Sequence, residues 1–234
     1  TRLGGWPADV RSDTIDSLFE RLCARYPDES FCVWNCARPG AYVDPAQNES
    51  GIVKRILAGT DDFTAQVDRA LAADEFPALH LAFIGHNNLD WYYDVENYGL
   101  DRDAYLQALP GNIGDAYEAQ RRRLLVRART ESRRSARSTE IVVYGLINVD
   151  DGLELVRQAI ERHRRDPSQF PFIGTLESRM PSFLPEHAAV TKRLARAVNG
   201  ELEARVEKLR AELGPEDRIV LRFSRALTDA PWTD

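Results

Sequence analysis

Two short stretches carry groups suited to holding a negative charge as it develops. The first is Gly85-His86-Asn87-Asn88, which comes after the apolar run Ala78-Leu79-His80-Leu81-Ala82-Phe83-Ile84. The second is Asn35-Cys36-Ala37-Arg38-Pro39-Gly40-Ala41, which comes after the shorter apolar run from Phe31 to Trp34. A glycine lets the backbone approach a ligand closely and present its N–H. An asparagine amide adds a side-chain donor. Donors of this kind, aimed at one oxygen, make the oxyanion hole of acyl-transfer chemistry. Gly40 and Asn87 are the candidate donors. Asn35, His86 and Asn88 are the candidate substrate contacts beside them, and Trp91 leads an aromatic cluster with Tyr92, Tyr93 and Tyr98 that could line an acyl or aglycone pocket.

Such donors converge only if both loops open on one edge of a sheet. An apolar run bounded by turn residues suits a parallel strand covered on both faces. In open α/β sheets ligands lie just beyond the carboxyl ends of such strands. The rest of the chain reads as the scaffold for that edge. Helical spacing of Val10, Ile15, Leu18, Phe19 and Leu22 predicts an amphipathic helix over Pro7–Tyr26, with Pro7 at a first helical position. Further helices are predicted over Ile52–Leu57, Phe63–Leu71, Leu153–Arg165 and Glu186–Leu213, the last closed by Gly214-Pro215. Leu100 to about Arg134 reads as helical but polar, with a break around Pro110-Gly111. Strands are predicted over Phe31–Trp34, Ala78–Ile84, Ile141–Ile147, Phe172–Leu176 and Ile219–Phe223. Strands alternating with helices imply βαβ units and a mostly parallel sheet, hence a three-layer α/β/α fold. The chain reads as one domain over residues 1–234, with a polar helical insertion or lid over about 94–138 that interrupts the strand–helix rhythm.

Composition narrows the function classes. At 234 residues with 43% hydrophobic content, the chain can build a sizeable core. A net charge of −6 exerts no global pull toward nucleic acid. No apolar run reaches the roughly 18 residues of a membrane span. Cys23, Cys32 and Cys36 cannot all pair with one another, and their spacing matches no common zinc pattern. They read as small buried hydrophobes, and they do not decide the compartment.

Other reactive residue types offer less. His80 lies within a strand and reads as a satisfied core residue, His163 lies among Arg162, Arg164 and Arg165, and His187 stands at a helix start. Only His86 lies in a candidate site loop, and no two histidines show metal-ligand spacing. Ser50 suits a helix cap, and no Gly-x-Ser-x-Gly elbow or phosphate-binding glycine loop occurs. Between Arg121 and Arg137, eight arginines stand against one acid, Glu131. They form either a basic arm for an anionic substrate or membrane surface, or a solvated face balanced by acids elsewhere. The plainer reading of Gly40 is a turn glycine, that of Asn35 a turn holder, and that of Asn87 and Asn88 loop-capping amides.

The two loops resemble the second and third sequence blocks of the SGNH hydrolases, the GDSL esterases and lipases. Gly40, in Asn35-x-x-x-x-Gly40, matches the second-block glycine. Gly85-His86-Asn87-Asn88 matches the third block, Gly-x-Asn-Asp, with Asn88 where the family usually has Asp. Element order is similar too, including a helix with Gln66-Val67 before the strand, and the Pro181-to-His187 run before a long helix. The family's Gly-Asp-Ser nucleophile block and Asp-x-x-His base block are missing. Thr1-Arg2-Leu3-Gly4-Gly5-Trp6-Pro7 resembles the family's stretch just after the serine, and Pro231-Trp232-Thr233-Asp234 the stretch just before the Asp-x-x-His element. The expectation is therefore an internal portion of a longer enzyme, with Asp234 a candidate for the Asp of the lost element.

The resemblance implies a flavodoxin-like α/β/α fold and hydrolysis of a carboxylic ester. A serine would attack the carbonyl, a histidine would take its proton, and the Gly40 N–H and Asn87 amide would hold the oxyanion. The substrate would be a short acyl ester, a lipid or an acetylated sugar, with no metal or organic cofactor. Two alternatives share the residues: an inactive acyl- or glycan-binding module, and an acyltransferase on the same scaffold.

Overall fold

In a computed structural model, the described residues are 18–28, 32, 34–37, 42–43, 62–90, 101–146, 149–168 and 187–225. The chain falls into two compact units, Thr1–Ala37 and Arg38–Asp234.

In the first unit, helix α1 spans Leu18–Arg25. The Arg25 guanidinium lies 5.8 Å from the centroid of the Tyr26 ring. Cys32 and Trp34 are in no strand, and the rest of the expected Phe31–Trp34 strand lies outside the described residues. The cysteines do not pack as a core either: Cys32 is exposed, and Cys23 and Cys36 are half-buried.

The second unit is α/β. Its sheet has three parallel strands in the order β1 (Leu79–Ala82), β2 (Thr139–Tyr144) and β3 (Ile219–Ser224). His80 stands beside Ile141 in the register, and Ile141 beside Leu221. This is compatible with a three-layer α/β fold, but the described strands fall short of a full flavodoxin-like sheet. Helix α2 (Phe63–Leu71) precedes β1, and α3 (His86–Asp90) follows it. Helix α4 (Arg102–Ser135) crosses from β1 to β2. Helices α5 (Val149–Arg165) and α6 (Ala188–Ala211) lie between β2 and β3. The expected helix over 52–57 and strand over 172–176 lie outside the described residues.

Local chemistry explains the helix starts. Asp62 Oδ1 accepts the Ala65 N–H at 2.8 Å and Asp101 Oδ1 accepts that of Ala104 at 2.8 Å, each satisfying an orphan donor of a first turn. Helix α4 does not break at Pro110-Gly111. A proline inside a helix costs about 3 kcal/mol, but Leu109 and Ile113 beside it are fully buried and their packing holds the helix together. The segment expected as a polar insertion thus supplies much of the core: Leu109, Ile113, Tyr117, Leu124 and Leu125 join Leu194, Val198, Leu202 and Val206 of α6.

Both crossovers step the same way across the sheet, so crossovers of one hand place α4 and α6 on one face. His80, Ala82 and Ile84 are buried, whereas Leu79, Leu81 and Phe83 are 44–47% exposed. Helical cover on both faces of β1 was the expectation; the outward side chains Leu79 and Leu81 are half-exposed.

Candidate active-site loops at the carboxyl edge of the sheet

The edge is organised around Gly85. Its φ of +122° is open to glycine and strained for other residues. A Cβ there would lie 3.2 Å from Leu146 Cδ2, in the turn after β2, and 3.8 Å from Val43 Cγ2. Three segments separated in the chain therefore meet at this glycine. Leu146 and Val43 are buried.

Two buried asparagines fix the meeting. Asn88 is fully buried, and its Oδ1 accepts the Val43 N–H at 2.9 Å. Its own N–H donates to the Gly85 carbonyl at 3.1 Å, which starts α3. Asn199, on the inward face of α6, accepts the Leu146 N–H at 2.7 Å and donates Nδ2 to the Leu146 carbonyl at 3.4 Å. An amide that satisfies buried backbone groups in this way is costly to remove. Two further bonds tie the same segments to α4 and α2. The Tyr117 hydroxyl donates to the Ile84 carbonyl at 3.0 Å, and the Phe63 N–H donates to the Tyr42 carbonyl at 2.9 Å. The Phe63 and Tyr117 rings stack with centroids 4.6 Å apart. The segment before α2 and the turn after β1 are thus tied together by Asn88 and by this aromatic pair.

His86 opens α3, half-buried, with its ring centroid 4.5 Å from that of Phe83. Burial pushes its pKa down to about 4, so the imidazole is neutral at pH 7 and offers one donor and one acceptor. The Asn87 backbone belongs to α3; its side chain lies outside the described residues. Gly40, Trp91 and Asp234 also lie outside them. Asn35, in the first unit, is exposed and its Oδ1 accepts the Ala37 N–H at 3.0 Å. Asn88 serves as a clamp between segments 45 residues apart, a longer reach than the local capping read from the sequence.

The arginine-rich helix is balanced by acids from across the fold. Arg122 bonds Glu118 and Glu212, Arg123 pairs with Asp68, Arg129 takes Asp217 through two bonds of 3.1 Å, and Arg127 and Arg134 share Glu131. Arg121 instead turns into the core. His80 is buried as expected, but its Nε2 lacks a partner among the described residues. Among the described residues, no group of three or more His, Cys, Asp or Glu could hold a metal ion, and no helix is long and apolar enough to cross a membrane.

Asn199, Tyr117 and Val43 were not singled out from the sequence. Asn199 left one readable trace, as the polar member of the stripe Leu194, Ala195, Val198, Leu202. Comparison with protein-family models, with curated proteins and with solved structures finds no match to this chain.

Proposed function

We propose that the chain carries the oxyanion side of an SGNH-type serine ester hydrolase. The observation that carries this reading is the hydrogen bond from Val43 N–H to Asn88 Oδ1. It joins the segment three residues after Gly40 to the residue next to Asn87, the two positions that the resemblance pairs. The left-handed Gly85 at the carboxyl end of a parallel strand supports the same reading. So does the strand order, since β1-β2-β3 would correspond to the 3-4-5 half of a flavodoxin-like 2-1-3-4-5 sheet.

In this mechanism the Gly40 N–H and the Asn87 amide receive the charge of the tetrahedral intermediate. Asn88 keeps their two loops in register. The serine and histidine are assigned to the family's Gly-Asp-Ser and Asp-x-x-His blocks, which these 234 residues do not contain. Serine attack then cleaves the ester, with the proton passing to the histidine and on to the leaving alcohol.

The test uses the longest natural chain that carries these residues, assayed on chromogenic esters of graded acyl length. Hydrolysis blocked by a serine-directed phosphonate is the expected result. Asn87→Ala should lower kcat by about 10²–10³ with little change in KM. Unchanged turnover removes Asn87 from its role. The alternative is an acyl- or glycan-binding module built on the same residues, which silence across the ester panel would select. Transfer of the acyl group to an added alcohol or sugar would mark an acyltransferase.

A further inference from the structure

Acids from across the fold balance the arginines of α4 only as far as its last turn. Between Arg127 and Arg137 and between Gly214 and Arg218, six arginines stand against three carboxylates, Glu131, Glu216 and Asp217, in a chain whose net charge is −6. Glu131 is shared by Arg127 and Arg134. Asp217 accepts two bonds from Arg129 and one from the Gly214 N–H. Arg133 and Arg137 are exposed, and among the described residues no carboxylate bonds either of them. The carboxyl end of a helix offsets about half a charge, so the cluster stays positive.

A strained corner holds the cluster in place. Ala136 and Arg218 both take left-handed backbone, with φ of +56° and +51°, a conformation that favours glycine. The Arg218 guanidinium donates to the Ala136 carbonyl at 2.6 Å, and the Thr139 N–H donates to the Arg218 carbonyl at 3.0 Å. The end of α4 is thereby locked to the start of β3, and the exposed Arg218 reaches the residue just before Arg137. Strain of this kind collects at functional surfaces.

Apolar side chains border the cluster. Leu79, Glu140 and Val220 form one row across the amino edge of the sheet, and Leu79 and Val220 are half-exposed. Glu140, between them, is paired with Arg222 at 2.6 Å. Val220 lies two residues from Arg218 and Glu140 three from Arg137, at most about 7 and 11 Å of extended chain. Unpaired guanidinium groups beside aliphatic side chains suit a surface that offers phosphates above acyl chains. A nucleic-acid strand is held by aromatic rings that stack its bases, and residues 126–140 and 214–222 contain none.

We propose that the amino edge of the sheet, through Arg133, Arg137 and Arg218 with Leu79 and Val220, docks the chain on an anionic phospholipid bilayer. This edge lies at the opposite ends of the strands from Gly85, and the proposal does not depend on the ester-hydrolase reading.

The experiment is co-sedimentation of the full natural chain with vesicles at pH 7 and about 0.1 M salt. One set is phosphatidylcholine alone; the other contains about one-third phosphatidylserine. Partition onto the anionic vesicles should exceed that onto phosphatidylcholine by about tenfold or more, and should fall as salt is raised. Arg133→Gln with Arg137→Gln should weaken it by about thirtyfold, roughly fivefold per cation. Leu79→Ser with Val220→Ser should lower it severalfold. Arg123→Gln with Arg157→Gln removes the same charge from acid-paired positions and should leave it within about twofold. Equal partition of the wild-type chain onto both vesicles, an unchanged value for either edge variant, or an equal loss in the acid-paired control each overturns the proposal. A DNA duplex that strips the chain from the vesicles at equal phosphate concentration overturns it in favour of a nucleic-acid surface. The comparison of the two vesicles needs no variant, so it stands even if a substitution fails to fold.

Discussion

At the residue scale, Gly85 does two jobs that only one residue type can do. It takes a φ of +122°, and it leaves room for Leu146 and Val43. Alanine there would meet both a strained backbone and a methyl contact of 3.2 Å. Strain of this kind costs about 1–3 kcal/mol. Gly85→Ala should lower the urea midpoint by an amount equivalent to about 2 kcal/mol at unchanged m-value, and a midpoint within error of wild type would show that the turn can rearrange at no cost. The glycine and the adjacent asparagines were legible in the sequence because turn chemistry is local. The partner of Asn88 was not, because nothing in residues 85–88 indicates that a segment 45 positions earlier supplies the N–H. Arg121 was hidden for a similar reason: it stands in a run with Arg122 and Arg123, and only its position on the helix surface separates a buried cation from two solvated ones.

At the element scale, α4 and α6 are joined by apolar packing inside and by an ionic network outside. Glu118 of α4 is the centre of that network, reached by Lys208 at 2.8 Å, Arg122 at 2.9 Å and Arg205 at 3.2 Å. The Lys208 ammonium, followed by the two guanidinium groups, holds its pKa down to about 2 from an ordinary 4.5, against the opposing effect of burial. A carboxylate with a folded-state pKa below its unfolded value stabilises the fold above pH 4.5, and this contribution is lost as pH falls toward 2. Its partners are partly exposed, so screening keeps the effect to about 1 kcal/mol. Glu118→Gln should therefore weaken the chain at pH 6 and bring its denaturant midpoint close to that of wild type near pH 2. An equal deficit at both pH values would mean that packing of the Glu118 stem, and not its charge, holds the helices. The helix bounds were readable from caps and periodicity; the survival of α4 through Pro110 was not, since the buried neighbours that outweigh the proline belong to the tertiary core.

At the scale of the whole molecule, two neutral imidazoles make folding sensitive to mild acid. Burial lowers the pKa of His80 to about 4, with a further push from Arg121, and burial alone lowers that of His86 to about 4, from an ordinary 6.5. Below pH 6.5 the unfolded chain takes up protons that the folded one refuses, so stability falls as the pH drops from 6.5 toward 4. Each histidine contributes up to about 2 kcal/mol of that loss between pH 7 and pH 5. Urea midpoints measured across that range should fall, and His86→Gln should remove about half of the slope. A flat profile for the wild-type chain would show that both rings accept protons in the folded state.

The order of the three described strands and the helices between them, the glycine and asparagine turn after β1, and the stop at Gly214-Pro215 come from the sequence alone, because periodicity and turn chemistry act within a few residues of one another. The meeting of Val43, Gly85 and Leu146, the burial of Arg121 and His80 and the half-exposure of Leu79 and Leu81 were decided only by the tertiary structure. In β1 the outward Leu79 and Leu81 are as apolar as the inward side chains, so no pattern along the chain distinguishes the buried side from the half-exposed one. Which buried groups find partners depends on segments tens of residues away in sequence, and only packing brings these within a few ångströms.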